Sequence, residues 1–166
     1  MNHQDTETQR RALNDLSHRV LGLCLEVHRE LGPGLLESAY EEALAYEFTQ
    51  SGLTFERQKE MPLHYKGVSL NCGYRLDFLV EGELILELKA ANGLSPIHYA
   101  QLLTYLRLER RSLGLLINFN VPVLKAGIHR VVSGDLFKDT HQGWSEAGQF
   151  ALLLCVLVSL WLKRML

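Results

Sequence analysis

The chain has 166 residues, an apolar fraction of 47% and a formal net charge of −2, values that suit one globular domain with a single sizeable core. So balanced a charge excludes the general pull toward nucleic acid of a strongly basic protein, and any such binding must come from a local basic patch. The three scattered cysteines, Cys24, Cys72 and Cys155, exclude a disulfide framework and a CxxC zinc site and suit a reducing compartment, so the expected location is cytoplasmic.

In chain order, MNHQDTETQRR is polar and lacks an apolar h-region, so no secretory leader is expected and residues 1–10 are read as a polar arm. From about Arg11, Leu13, Leu16, Val20, Leu23, Val27 and Leu31 recur at steps of three and four, the stripe of an amphipathic helix. Gly32-Pro33-Gly34 ends it, and a second helix follows from about Leu35 to Gln50, stopped by Gly52. Thr54 to Tyr65 reads as a strand in which Pro62 favours an edge or a bulge. Val68 to Val80 and Glu83 to Ala90 are two further strands, the first broken near Asn71 to Gly73, with turns at Lys66-Gly67 and Glu81-Gly82. Ser95-Pro96 starts a third helix, to about Arg110. Leu113 to Asn118 is a compact apolar run suited to a buried strand, and Ile128 to Val132 is a last short one, with a turn at Asp135 to Phe137. The order helix, helix, three strands, helix, strand, strand predicts an α/β domain with a mixed sheet flanked by helices.

The chemistry concentrates in Tyr74 to Lys89. Alternation on the third strand puts Leu84, Leu86 and Leu88 on a core face and Ile85, Glu87 and Lys89 on the other. On the preceding strand Leu76, Phe78 and Val80 form the apolar face, and Asp77 points opposite with Arg75 and Leu79. Charges within an apolar strand are costly unless they are paired or bind a metal. Across a short hairpin Asp77 comes near Glu87, and two carboxylates make a hard oxygen site for Mg²⁺ or Mn²⁺. Such an ion polarises a phosphate oxygen, and Lys89 beside it stabilises the charge that develops during phosphodiester cleavage. A solvated strand face with a surface ion pair would give the same short pattern.

Two helical pairs bear on that choice. Glu37 and Tyr40 share a face of the second helix, and Gln101 and Tyr105 share a face of the third, with His98 three residues earlier. Tyr40 and Tyr105 also suit core aromatics, and Arg107, Arg110 and Arg111 suit either a basic edge or a solvated helix end. No P-loop and no HExxH are present, and the seven histidines are scattered.

Gly34-Leu-Leu-Glu37-Ser-Ala-Tyr40, followed by Asp77, Glu87-x-Lys89 and Gln101-x-x-x-Tyr105, resembles the GxxExxY proteins of the PD-(D/E)XK nuclease-like superfamily, from about Leu13 to Phe137. The resemblance implies a restriction-endonuclease-like core over residues 11–139. It also implies metal ligation by Glu37, Asp77 and Glu87 and a catalytic role for Lys89 together with Asp77 and Glu87. Gln101, Tyr105 and Tyr40 would then contact substrate, and the partner would be DNA or RNA. Some members of the superfamily bind without cleaving, so a non-catalytic nucleic-acid-binding or protein-interaction module on the same fold is the alternative.

Residues 140–166 fit neither the domain nor the resemblance. Ala151 to Leu162 is apolar all round except Ser159, and Lys163-Arg164 follow. The apolar core is about a dozen residues against the roughly 20 of a full membrane span. Packing on the domain or on a second copy of the chain is one expectation. Membrane contact through residues 147–166, with Trp161 at the interface, is a second, and a poorly ordered tail is a third.

Overall fold

The computed structural model describes residues 3–133. Three helices, α1 (His3–Leu31), α2 (Glu37–Gln50) and α3 (Pro96–Leu108), and five strands, β1 (Phe55–Tyr65), β2 (Val68–Val80), β3 (Leu84–Lys89), β4 (Leu113–Asn118) and β5 (Ile128–Val132), form the domain. The sheet order is β1-β2-β3-β4-β5. β1, β2 and β3 form an antiparallel meander, β3 and β4 run parallel through the α3 crossover, and β5 returns antiparallel to β4. The sheet is therefore mixed and flanked by helices, as the element order predicts.

β3 and β4 are buried on both faces, the usual situation of strands joined by a crossover helix. On one face Leu84, Leu86, Leu88, Leu113, Leu115 and Ile117 pack against Leu16, Val20, Cys24 and Val27 of α1 and Tyr40, Leu44 and Phe48 of α2. On the other, Ile85 and Leu116 pack with Leu102, Tyr105 and Leu106 of α3. Gly114 lets α3 seat closely, since a Cβ there would lie 2.7 Å from Leu102 Cδ1.

Several expectations are refined. Helix α1 continues back to His3, through the stretch read as a polar arm. Ion pairs such as Arg11–Glu7, 2.7 Å apart at i,i+4, support a solvated helix without an apolar stripe. β1 is an edge strand, and its register shifts between Met61 and Leu63, at Pro62. β2 is continuous through 68–80, with Gly73 at φ +66° taking up the irregularity. Leu76 does not share a face with Phe78 and Val80. It packs with Met61 and Leu79 on the α3 side, whereas Phe78 and Val80 pack on the α1/α2 side. The β1–β2 hairpin turns its faces over between these positions, at the level of Gln58, where the backbone has φ +51°.

Among the described residues no helix is long and apolar enough to cross a membrane. The expectations for residues 140–166 and for the turn at Asp135 to Phe137 lie outside the described residues.

Tyr40 ties the loop between the first two helices to the core. Its ring is fully buried and stacks on Phe119 with centroids 4.5 Å apart. Its hydroxyl donates to the Gly32 carbonyl at 2.7 Å and accepts from the Leu35 amide at 3.1 Å. Tyr40→Phe is expected to keep the stacking, lose both bonds and cost about 1–2 kcal/mol in urea denaturation. A loss below a few tenths would show that the hydroxyl does not hold the loop.

Candidate active site

The site forms where β2 parts from β3. Their backbone pairing runs through Val80↔Leu84, Leu79↔Ile85 and Phe78↔Leu86 and goes no further. A strand amide left unpaired inside a protein is costly. Here the Leu88 amide donates to Asp77 Oδ2 at 2.8 Å, so the carboxylate stands in for the lost strand carbonyl. The Gln58 amide approaches the other oxygen, Asp77 Oδ1, at 3.4 Å.

Glu87 and Lys89 share a face of β3, as alternation predicts, but Glu87 is not on a solvated surface: it is 1% exposed. Lys89 Nζ donates to Glu87 Oε1 at 2.6 Å and to the Leu88 carbonyl at 2.8 Å. Glu87 Oε2 is buried with no hydrogen-bond partner among the described residues. Glu37, the first residue of α2, brings Oε1 to 3.9 Å from Lys89 Nζ. Its position in the first turn also suits the helix dipole.

Burial pushes the Glu87 carboxyl up to about 8, and the neighbouring Asp77 adds to the rise while Lys89 opposes it. Burial pushes Asp77 up to about 6, against the Leu88 amide and Lys89, which favour its anion. For Lys89, burial works against the charge, but Glu87, Glu37 and Asp77 outweigh it and hold the ammonium above its ordinary value. The cluster thus holds more acid than its single base can neutralise, around a Glu87 side chain that is almost wholly covered.

That imbalance is the test of whether the residues suit a cation. An orphaned carboxylate oxygen, with a second carboxylate close enough to raise its pKa, is a donor set that a hard divalent ion would complete. Mg²⁺ is commonly held by only one or two carboxylates. Among the described residues, no three His, Cys, Asp or Glu side chains converge on one metal position. Of the expected trio, Glu37, Asp77 and Glu87 all act on the Lys89 ammonium, with Glu37 Oε1 at 3.9 Å. Asp77 and Glu87 are the two buried carboxyls of the cluster.

The residues expected to contact substrate separate. Gln101 is half-buried on α3 and donates to the Tyr105 hydroxyl at 2.7 Å. Tyr105 is 2% exposed, and burial pushes its hydroxyl up to about 12. Tyr105 and Tyr40 are core residues, 2% and 0% exposed, and offer substrate almost no surface.

Other residues around the site carry weaker sequence signals. Asn118, a polar residue closing the apolar run of β4, is buried. Its Oδ1 accepts from Ala91 N and its Nδ2 donates to Ala91 O, fixing the chain just after Lys89. His98 forms a capping box with Ser95. Its Nδ1 accepts the Ser95 amide at 3.2 Å, which assigns the ring proton to Nε2 in the neutral form. Burial and then Lys89 keep its pKa low. Arg57 of β1 binds buried Glu41 and, at 2.6 Å, exposed Glu42 of α2. Glu41 lies four residues beyond Glu37, but nothing in the strand pattern shows its partner.

A family model described as the PD-(D/E)XK nuclease superfamily matches residues 14–131. No curated protein and no solved structure matches the chain.

The raised carboxyl values fix a pH dependence. Glu87 and Asp77 hold protons in the folded chain that the unfolded chain releases, since their ordinary values are 4.5 and 3.8. Folding then binds protons over that interval, so stability is greatest below it and is lost as pH rises toward about 8. In chelator, the melting temperature should fall between about pH 5 and pH 8, and Glu87→Gln should remove most of that fall. An equal fall in Glu87→Gln would place the linkage elsewhere.

Proposed function

The chain belongs to the PD-(D/E)XK nuclease superfamily, and from that premise we propose that it hydrolyses phosphodiester bonds of DNA or RNA with the help of Mg²⁺ or Mn²⁺ held by Asp77 and Glu87. The observation that carries this reading is the buried Glu87 Oε2, which lacks a partner and lies in a cluster with Asp77 and Lys89. The GxxExxY pattern at Gly34, Glu37 and Tyr40 supports the same reading at a finer level. Glu37 opens α2, and Tyr40 holds the loop before it.

The ion, when bound, supplies Lewis acidity at the scissile phosphate and at the attacking water. Asp77 contributes a carboxylate whose rotation is fixed by the Leu88 amide. Glu87 contributes a carboxylate whose charge burial makes costly and Lys89 offsets only in part. Lys89 keeps its proton and is aimed by two acceptors, Glu87 Oε1 and the Leu88 carbonyl, so its charge is in place before the phosphate gains negative charge. Glu37, the more exposed acid of the cluster, adds a third negative charge 3.9 Å from the Lys89 ammonium. His98 stands near Lys89 with a ring N–H available on Nε2. The nucleic acid would meet the site through these groups and not through Tyr40 or Tyr105, which are covered.

The test is incubation of single- and double-stranded DNA and RNA with the purified protein in Mg²⁺ or Mn²⁺. Cleavage is expected on at least one substrate, abolished by EDTA and reduced about 100-fold or more in Lys89→Ala. Cleavage unchanged in Lys89→Ala contradicts the assignment. Binding of nucleic acid without cleavage under any metal condition favours the non-catalytic alternative on the same fold.

A further inference from the structure

Gln58 lies inside a regular strand with a backbone that strands do not use. Four non-glycine residues among those described have positive φ: Gln58, Lys66, Glu81 and Arg110. The last three sit in turns between elements, where such values are ordinary, and only Gln58 lies within a strand. A left-handed backbone is strained for a side chain with a Cβ and persists only where its surroundings impose it. Those surroundings are present. Arg57, one residue before, is tied to Glu41 and Glu42 on α2, and Lys59, one residue after, is tied to Glu109 just past α3, at 3.1 Å. Alternation would put Arg57 and Lys59 on the same face, yet they bind helices on opposite faces. The strand turns over at Gln58.

Glycine would meet that backbone demand without strain. The presence of glutamine calls for a use of its side chain, and the side chain has one: its amide donates toward Asp77 Oδ1 at 3.4 Å. The pairing of β1 with β2 steps over this level, from Arg57↔Phe78 to Lys59↔Leu76. Gln58 and Asp77 therefore face each other across a gap in the ladder, joined through side chains. Asp77 has the Leu88 amide on one oxygen and the Gln58 amide on the other. Two donors from two different strands fix the plane of the carboxylate.

We infer that Gln58 is a positioning residue, held in a strained strand conformation so that its amide orients the Asp77 carboxylate toward the cation position. The inference rests on the reading that Asp77 ligates a divalent ion. Gln58 touches neither ion nor substrate and acts through Asp77. Loss of such an outer partner typically weakens metal affinity about 10- to 100-fold.

The experiment uses the full chain and Mn²⁺, whose free concentration is read directly from its EPR signal. Wild type should bind Mn²⁺ in an Asp77-dependent manner, lost in Asp77→Asn. Gln58→Gly removes the amide and relieves the backbone, so it should melt at or above the wild-type temperature yet bind Mn²⁺ about 10-fold more weakly. A merely structural glutamine would not separate the two readouts in this way. Gln58→Asn tolerates positive φ but is one methylene shorter, and it should weaken binding likewise, which keeps the test valid should the glycine variant fold poorly. Wild-type Mn²⁺ affinity in a folded Gln58→Gly or Gln58→Asn protein overturns the role of Gln58 while leaving the cation site standing. Mn²⁺ binding that is absent, or equal in wild type and Asp77→Asn, overturns the cation site and the inference with it.

Discussion

The bond from the Leu88 amide to Asp77 Oδ2 is the contact around which the site is organised. Two antiparallel strands separate there, and each has backbone groups to satisfy. One side chain takes over part of that duty, and in doing so an acid is fixed beside the face of β3 that carries Glu87 and Lys89. The sheet beyond this point gives support from both sides. Leucines of β3 and β4 pack on α1 and α2, and Ile85 and Leu116 pack on α3. Burial on both faces is what makes a charged pair in β3 expensive and therefore informative. The same Glu-x-Lys on an exposed edge would be a weak surface ion pair.

The electrostatics follow from this placement. Glu87, Asp77 and Glu37 surround a single ammonium, and the two buried carboxyls rise chiefly because burial penalises their charge, with Asp77 adding to the rise of Glu87. The structure keeps this imbalance through its supports. Tyr40 clamps the loop that leads to Glu37, Asn118 fixes the chain after Lys89, and Phe119 N bonds the Lys89 carbonyl at 2.8 Å. Of the motif residues outside the acidic cluster, Tyr40 holds the loop before Glu37, while Gln101 and Tyr105 bond each other on α3.

Much of this was legible in the sequence, for reasons tied to particular residues. The leucines of β3 and β4 identify buried strands, and period-two alternation puts Glu87 and Lys89 on one face because β3 is regular. Pro62 marks an edge because it lacks an N–H. The misreadings occur where a long-range contact overrides a local pattern. Leu76 changes face because the hairpin turns over at Gln58, and nothing in a run of alternating residues announces a left-handed glutamine. Helix α1 reaches His3 on charged pairs, which apolar periodicity does not register. Tyr40 and Tyr105 carry motif spacing, yet spacing does not tell whether a face meets solvent or the core. The grouping of Glu37 with Asp77 and Glu87 follows family order, and in the fold Glu37 Oε1 lies 3.9 Å from Lys89 Nζ.

The central claim is that the orphaned, protonated Glu87 carboxyl marks a divalent-cation position, and proton release on binding tests it most directly. Calorimetric titration of the protein with Mn²⁺ near pH 7, repeated in buffers of different ionisation enthalpy, counts the protons displaced. An ion that takes the place of the proton on Glu87 should release close to one proton per chain, and Glu87→Gln should release almost none. Binding with no proton release in the wild type, or with the same release in Glu87→Gln, would contradict the account.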